Sequence, residues 1–333
     1  MPKKLPQLAK LTRPRLHKAV ARERLFALLD DAHEHRPAIC VVGPPGAGKT
    51  TLVASWLDAC GIKGIWYQVD PGDADLATFF YYLGEAAKPF TRKGQRPLPA
   101  LTTEYLHDIE GFSRRFFRDL FGRLSEGAAV VLDNYQEVGQ EQKFHRLIAQ
   151  AVEDVPAGMT LIAISRRDPP DCYARLIANE NVRLVDWDDL QLTFEETRLI
   201  VQAKGPLGRP EEIERLHRQC GGWAAGLTLI LEGYRKNGKP LPEVPAGRDA
   251  IFGYFAAQIF ERVSEDVRQF LMVTSFLPTV QVSVAEALTG EPASATILED
   301  LYRRHLFTHR RPGQEPTYWY HALFQVFLQE KAC

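Results

Sequence analysis

The stretch Ala38-Ile-Cys-Val-Val-Gly43-Pro-Pro-Gly-Ala-Gly48-Lys49-Thr50 decides the fold of this chain. Its first five residues are apolar and predict a strand, and the rest fits G-x-x-x-x-G-K-[ST] without a gap. Glycines let backbone N–H groups turn towards phosphate, and the following helix directs the positive end of its dipole there. Because Thr51–Leu57 supplies that helix, the sequence predicts a phosphate-binding loop for ATP at Gly43–Thr50.

The loop predicts partners for a magnesium ion and for the phosphates. Lys49 is expected to bridge the β- and γ-phosphates, and the Thr50 hydroxyl is expected to bind Mg²⁺. Ala128-Ala-Val-Val-Leu-Asp133 has the form of a Walker B strand, so Asp133 is the expected second Mg²⁺ contact; capping of the next turn is the alternative. Asn134 follows and cannot act as a base, which leaves Glu137 open as a group that reaches the attacking water.

Five short apolar runs alternate with amphipathic helical stretches from Pro14 to about Leu190. This alternation predicts an α/β fold, a P-loop NTPase parallel sheet with helices on both faces. The Arg166 side chain follows the fourth run, where it is placed to sense the γ-phosphate because ligands bind at the carboxyl ends of such strands. A solvated arginine is the alternative. The runs are Ala38–Val42, Ile65–Val69, Ala128–Leu132, Thr160–Ser165 and Val182–Val185.

Beyond Leu190 the strand signals stop and helical patterns take over. Thr193-Phe-Glu-Glu196 and Ser283-Val-Ala-Glu286 have the form of capping boxes. Gly233–Arg248 is rich in glycine and proline and is predicted to join two units. The last part indicates four helices, a hairpin of Leu306–His309 with Thr317–Tyr320, and a helix, which is typical of a winged helix. The predicted domains are 1–190, 191–245 and 246–333.

Composition narrows the function classes. The net charge of −1 gives no global attraction to nucleic acid or membrane. The five cysteines are scattered, which suits a reducing compartment better than a disulfide framework. No apolar run approaches the roughly 18 residues that a membrane helix needs, so a cytoplasmic protein is expected.

The order of several motifs resembles the STAND class of signal-transduction ATPases, most closely the nucleotide-binding core of MalT-type (large LuxR-like) transcriptional regulators. The resemblance covers about Leu11 to Leu328. Besides the loop and Asp133, the matching motifs are Pro14-Arg15-Leu16, Val20-Ala-Arg22-Glu23, Trp66, Asp70-Pro-Gly-Asp73, Ser165-Arg166, Pro169-Pro170, Asp189-Leu190, Gly221-Gly-Trp223-Ala-Ala-Gly226-Leu227 and Tyr320-His321-Ala-Leu323-Phe324.

The resemblance implies further nucleotide contacts. Arg22 would lie near the base and sugar, Trp223 near the nucleotide, and His321 against the β-phosphate of ADP. A core tryptophan and a structural histidine remain the alternatives. The residues predicted to bind nucleotide are Arg22, Gly43, Pro44, Gly46, Ala47, Gly48, Lys49, Thr50, Thr51, Trp223 and His321, with Lys49, Asp133 and Arg166 as the catalytic group.

The resemblance also implies a function, a switch that ADP holds closed and that ATP opens for self-association. Hydrolysis would be slow, since Asn134 stands where the family has a second acidic residue. Such regulators continue into a sensor and a DNA-binding region, whereas this chain stops at Cys333. It is therefore expected to be a fragment, and a natural stand-alone core whose sensor and effector lie elsewhere is the alternative.

Two other function classes remain open. One is a steady-turnover ATPase such as an AAA+-like remodeller; a kinase lacks an obvious acceptor site, and a GTPase would usually show N-K-x-D. The other is DNA binding by the winged helix through Arg303, Arg304, His305 and His309–Arg311, which the neutral chain disfavours.

Overall fold

The computed structural model describes residues 8–16, 19–92, 94–204, 209–237, 248–311, 313 and 315–332. These residues form two compact units. The sheet unit combines Met1–Val42 with Lys49–Asp186, and the C-terminal unit combines Gly43–Gly48 with Trp187–Cys333. The predicted joining segment lies largely outside the described residues, and the division into three domains stays a prediction.

The sheet unit is built on five parallel strands in the order β2-β3-β4-β1-β5. The three central strands are buried at every position, as expected for a parallel sheet covered on both faces. The predicted α/β fold is therefore confirmed. Two strands start and end one residue away from the predicted runs. The strands are β1 Ala38–Val42, β2 Gly64–Gln68, β3 Ala129–Asp133, β4 Thr160–Ser165 and β5 Val182–Val185.

Six α-helices accompany these strands within the described part of the sheet unit: α1 precedes β1, and the other five lie in the connections between strands. In the fourth, Phe112, Phe116 and Leu120 are buried because their spacing of four residues places them on one face. They join an aromatic core with Phe79 and Phe80. The helices are α1 Glu23–His35, α2 Lys49–Ala59, α3 Leu76–Ala87, α4 Ile109–Phe121, α5 Gln142–Glu153 and α6 Ala174–Ala178.

The C-terminal unit is mainly helical and ends in a winged helix. Its three short strands are antiparallel in the order β6-β8-β7. The strands are β6 Val280–Gln281, β7 Thr308–Arg311 and β8 Thr317–Tyr320. The helices are α7 Trp187–Leu190, α8 Phe194–Lys204, α9 Pro210–Cys220, α10 Ala224–Asn237, α11 Arg248–Gln258, α12 Glu265–Thr274, α13 Val282–Thr289, α14 Ser294–Arg303 and α15 Ala322–Ala332.

Local signals in this unit have mixed outcomes. The capping box at Thr193 is confirmed, since its amide donates to Glu196 Oε2 at 3.0 Å and its Oγ1 accepts from the Glu196 amide at 3.2 Å. The box at Ser283 is wrong. Pairing of β6 with β8 carries the chain straight into α13, so Ser283 lies inside the first turn and its amide donates to Glu315 Oε1 at 2.8 Å.

The hairpin also differs in its first strand. It was predicted at Leu306–His309 and begins at Thr308 instead. The left-handed backbone at His305 and Phe307, with φ of 48° and 55°, bends the chain before the strand. Among the described residues, no helix has both the length and the apolar character needed to cross a bilayer.

Candidate nucleotide-binding site

Gly46 is the most constrained residue of the phosphate-binding loop. Its φ of +74° lies in the region that side chains with a Cβ rarely adopt. A Cβ at this position would also lie 2.5 Å from the Ala225 Cβ and 2.8 Å from the Trp223 Nε1. Gly48 shares the positive φ, at +86°. Of the three loop glycines, Gly46 and Gly48 are therefore required by the backbone conformation, and Gly46 is also required by its neighbours.

The remaining predicted loop residues support this turn. The Ala47 amide donates to the Pro44 carbonyl at 3.2 Å, and Ala47 is buried. A Cβ at Gly43 would lie 3.0 Å from the Leu190 Cδ1. Thr51 is an exposed residue in the first turn of α2, so its predicted nucleotide contact stays a prediction.

Lys49 begins α2 and is almost completely buried, with 8% of its surface exposed. Burial and, after it, the nearby charge of Arg166 lower the pKa of its ammonium to about 7, against an opposite effect of Asp133. The side chains of Lys49 and Arg166 thus both interact electrostatically with the single carboxylate of Asp133. An anion bound beside them would relieve the cost of burying the lysine charge, so these residues fit the phosphates of a nucleotide.

Thr50 and Asp133, the two predicted Mg²⁺ contacts, lie together in the sheet unit. The Thr50 Oγ1 donates to the Asp133 Oδ1 at 3.1 Å, and the Asn134 amide donates to the same oxygen at 3.0 Å. Burial raises the pKa of the Asp133 carboxyl, while these two hydrogen bonds and the charges of Lys49 and Arg166 oppose that rise. A hydroxyl and a carboxylate side by side form an oxygen set suited to Mg²⁺.

Asn134 occupies a left-handed turn directly after β3, with φ of 59° and ψ of 38°. Asparagine is one of the few residues other than glycine that tolerate this conformation. Three positions on, Glu137 is exposed, and its Oε1 accepts a hydrogen bond from the Gln136 Nε2 at 2.9 Å. The backbone therefore gives a conformational reason for an asparagine at this place.

Arg166 follows β4, as predicted, and its charge acts on both Lys49 and Asp133. Its backbone amide donates to the Gln136 Oε1 at 3.0 Å. Sequence reasoning missed Gln136, because a glutamine three residues after a Walker B aspartate carries no recognisable pattern. Arg22 is buried immediately before α1, and its predicted place beside the base and sugar stays a prediction.

Trp223 contacts the loop from within the C-terminal unit. Its Nε1 donates to the Pro45 carbonyl at 3.0 Å, and the Ala225 amide donates to the Gly46 carbonyl at 3.0 Å. The indole is fully buried and stacks on Phe255 with ring centroids 5.2 Å apart. It is thus both a core tryptophan and a neighbour of the phosphate loop.

Tyr254 is a second neighbour of the loop in this unit, and sequence reasoning missed it. Its hydroxyl lies 2.9 Å from the position that a Cβ of Gly46 would take, and its ring is 5.2 Å from that of Trp223. Ile251 and Phe255 of the same helix, α11, are buried. The tyrosine beside Phe255 was the available signal.

The His321 ring packs against the turn at Cys220 and Gly221, which precedes Trp223. The Leu323 amide donates to its Nδ1 at 3.3 Å, so Nε2 carries the proton and donates to the Cys220 carbonyl at 3.1 Å. Burial lowers the pKa of His321 to about 4, which keeps the ring neutral near pH 7. A Cβ at Gly221 would lie 2.6 Å from that Nε2. The predicted contact of His321 with a β-phosphate stays a prediction.

The fold and the loop define a class: a P-loop ATPase fold followed by a winged helix. A Walker-type ATPase of Pyrococcus abyssi has the same fold, with a TM-score of 0.66 at 16% identity, over 95% of this chain and 99% of that one. Residues 256–333 match the family model described as the MalT winged helix domain.

The particular relatives are the HTH-type transcriptional regulators MalT. The chain is 28% identical to that of Cronobacter sakazakii over 344 residues, and 29% identical to that of Serratia proteamaculans over 335 residues. Each match covers 97% of this chain and 36% of the relative, so the chain spans about a third of their length. The chain is thus similar to MalT regulators over 97% of its length, the similarity that its motifs predicted.

Proposed function

We propose that this chain is an ATP/ADP-dependent signalling switch of the STAND class and the nucleotide-binding core of a transcriptional regulator. One observation carries the proposal: the carbonyl groups of Pro45 and Gly46 accept hydrogen bonds from Trp223 and Ala225. Because Trp223 and Ala225 belong to the region that leads into the winged helix, a change in the loop backbone would alter bonds made by that region.

The two nucleotides would favour different states. ADP would hold the resting, closed form, and ATP would favour an open form that associates with itself, through a difference in affinity between the states. Mg²⁺, held by Thr50 and Asp133, would neutralise phosphate charge when bound. Lys49 would orient the phosphates, and Arg166 would sense the third one. His321 would contact the β-phosphate of ADP and so hold the resting form, and it also bonds the turn at Cys220.

Hydrolysis in this proposal is slow and serves as a timer. Asn134 offers no base, and Glu137 is exposed and bonded to Gln136. We also propose domains at 1–190, 191–245 and 246–333, a cytoplasmic location, and inducer-sensing and DNA-binding regions outside this stretch. The 36% coverage of the MalT regulators supports that last point.

Direct DNA binding by the winged helix receives little support from its basic residues. Arg303 and Arg310 both pair with Glu299, at 2.9 Å and 3.3 Å, and Arg304 pairs with Asp300 at 2.9 Å. Arginines neutralised within the chain contribute little to the phosphate contacts on which duplex binding depends. We therefore assign this domain to the switch.

The nucleotide carried by the purified protein tests the proposal. We expect ADP to be released on denaturation, and added ATP to shift the protein to larger species in size-exclusion chromatography. We expect turnover well below about 1 per second, the low end of common enzyme rates. Faster turnover, with no change in size on ATP binding, would identify a steady-turnover ATPase instead.

A further inference from the structure

We propose that Gln136 is a positioning residue that fixes Arg166 for the discrimination of ATP from ADP, an inference that rests on the proposed function. Gln136 lies in the short turn after β3 and Arg166 directly after β4. Neither the Walker B pattern nor the relatives' names assign a role to this glutamine.

The pairing of the two strands explains why Arg166 needs such a partner. β3 and β4 pair from Ala129 and Thr160 to Leu132 and Ala163. Beyond that register the left-handed turn at Asn134 takes the chain away from the sheet. A backbone N–H near the end of a buried ladder requires another acceptor. The Gln136 Oε1 supplies it, 3.0 Å from the Arg166 amide nitrogen.

The glutamine and the turn are held on both sides. The other end of its amide, Nε2, donates to the Glu137 Oε1 at 2.9 Å. The next backbone amide, that of Arg167, donates to the Ser165 Oγ at 2.9 Å. Two successive N–H groups of this turn are thus fixed by side chains, and the direction in which the Arg166 side chain leaves the backbone is fixed with them.

The direction of the Arg166 side chain matters for the recognition of the phosphates. The Arg166 guanidinium is near enough to Lys49 and Asp133 to influence both, and Lys49 is the group expected to bridge the β- and γ-phosphates. ADP lacks the γ-phosphate. An Arg166 side chain held by Gln136 therefore increases the affinity for ATP and not that for ADP. Without the bond from Gln136, only the affinity for ATP should decrease.

Gln136→Met in the full chain tests the inference, because methionine keeps the length and removes the acceptor. Titration with MgATP and MgADP should show ATP binding weakened about fivefold, the equivalent of one hydrogen bond, with ADP binding unchanged and the unfolding midpoint slightly lowered because the Arg166 amide loses its acceptor. Gln136→Glu keeps an acceptor oxygen and should retain most of the ATP affinity. Gln140→Met, the same change at an exposed position of the same loop, should behave as the wild type.

The variant Arg166→Ala distinguishes a failure of the positioning role of Gln136 from a failure of the proposed function. It should weaken ATP binding selectively, and by at least as much as Gln136→Met. If Arg166→Ala is selective and Gln136→Met binds as the wild type does, the inference is wrong while the proposed function stands. Equal losses of ATP and ADP in Gln136→Met would assign the glutamine a structural role only and also overturn it. If Arg166→Ala changes neither affinity, the proposed sensor role of Arg166 is wrong, and the positioning role of Gln136 is wrong with it.

Discussion

The two parts of the phosphate-binding loop have different surroundings. In the sheet unit, Lys49 and Thr50 lie among charged and polar groups, where Asp133 and Arg166 act on the lysine. In the C-terminal unit, Pro45 and Gly46 are held by a neutral indole and a backbone amide. The first environment recognises charge, which nucleotides supply. The second environment binds the backbone carbonyl groups of the loop. It therefore depends on the conformation of the loop and needs no contact with phosphate.

Removing the lysine should have the largest effect on the charged part. Lys49→Ala should weaken ATP and ADP binding about 100-fold or more, since hydrogen bonds to charged groups contribute roughly 1.5–3 kcal/mol each. The fold should remain, because the change removes a buried charge. Calorimetric titration of Lys49→Ala against Lys63→Ala, an exposed lysine of the same unit, makes the comparison. Unchanged ATP affinity would refute the loop assignment.

In the neutral surroundings of Pro45 and Gly46, a substitution should destabilise the protein through backbone strain and steric overlap. Gly46→Ala combines a strained positive φ, roughly 1–3 kcal/mol, with overlap onto Ala225 and Trp223, so we expect about 3 kcal/mol of lost stability in denaturant unfolding. Gly61→Ala is the matched control, because its φ is +65° and nothing lies within 4 Å of the added Cβ. A similar loss in both variants would mean that the packing around Gly46 contributes nothing.

Acid should loosen the turn that supports Trp223. His321 has a pKa of about 4 when folded, against about 6.5 for an exposed histidine, so the unfolded chain binds the proton more readily. The stability that the neutral ring contributes is complete above pH 6.5 and is lost as pH falls towards 4, by roughly 3 kcal/mol in total.

His321→Gln should therefore flatten the dependence of the unfolding free energy on pH in this window, while exposed His107, changed to glutamine, should leave it as it is. An identical slope in wild type and His321→Gln would contradict the assignment of a buried, neutral ring.

The smallest effect is expected from Trp223→Phe, which keeps a stacked ring and removes the donor to the Pro45 carbonyl. Leaving that carbonyl without its indole partner should cost about 1–2 kcal/mol and change ADP retention more than Trp319→Phe does. Urea unfolding and ADP release rates measure both quantities. Faster ADP release in Trp319→Phe than in Trp223→Phe would break the link between the indole and the loop.

Much of the sheet unit was predictable. The strand runs were predicted within one residue at each end because parallel strands buried on both faces are continuous apolar segments. The short C-terminal elements were harder. The helix at Ser283 and the first hairpin strand shifted, because pairing of β6 with β8 and the backbone at His305 and Phe307 set their ends. Such contacts between distant segments leave no local pattern.

By itself, the sequence determined the loop, the neighbouring residues Thr50 and Asp133 and the winged helix, since each depends on residue types at fixed spacing or on apolar periodicity. Only the tertiary structure decided which residues hold that machinery: Trp223 on Pro45, His321 on Cys220, and Gln136 on Arg166. The physical reason is that a side chain bonded to a backbone group needs only a suitable donor or acceptor at the right distance. Many residue types satisfy that condition, so folding alone identifies the partner.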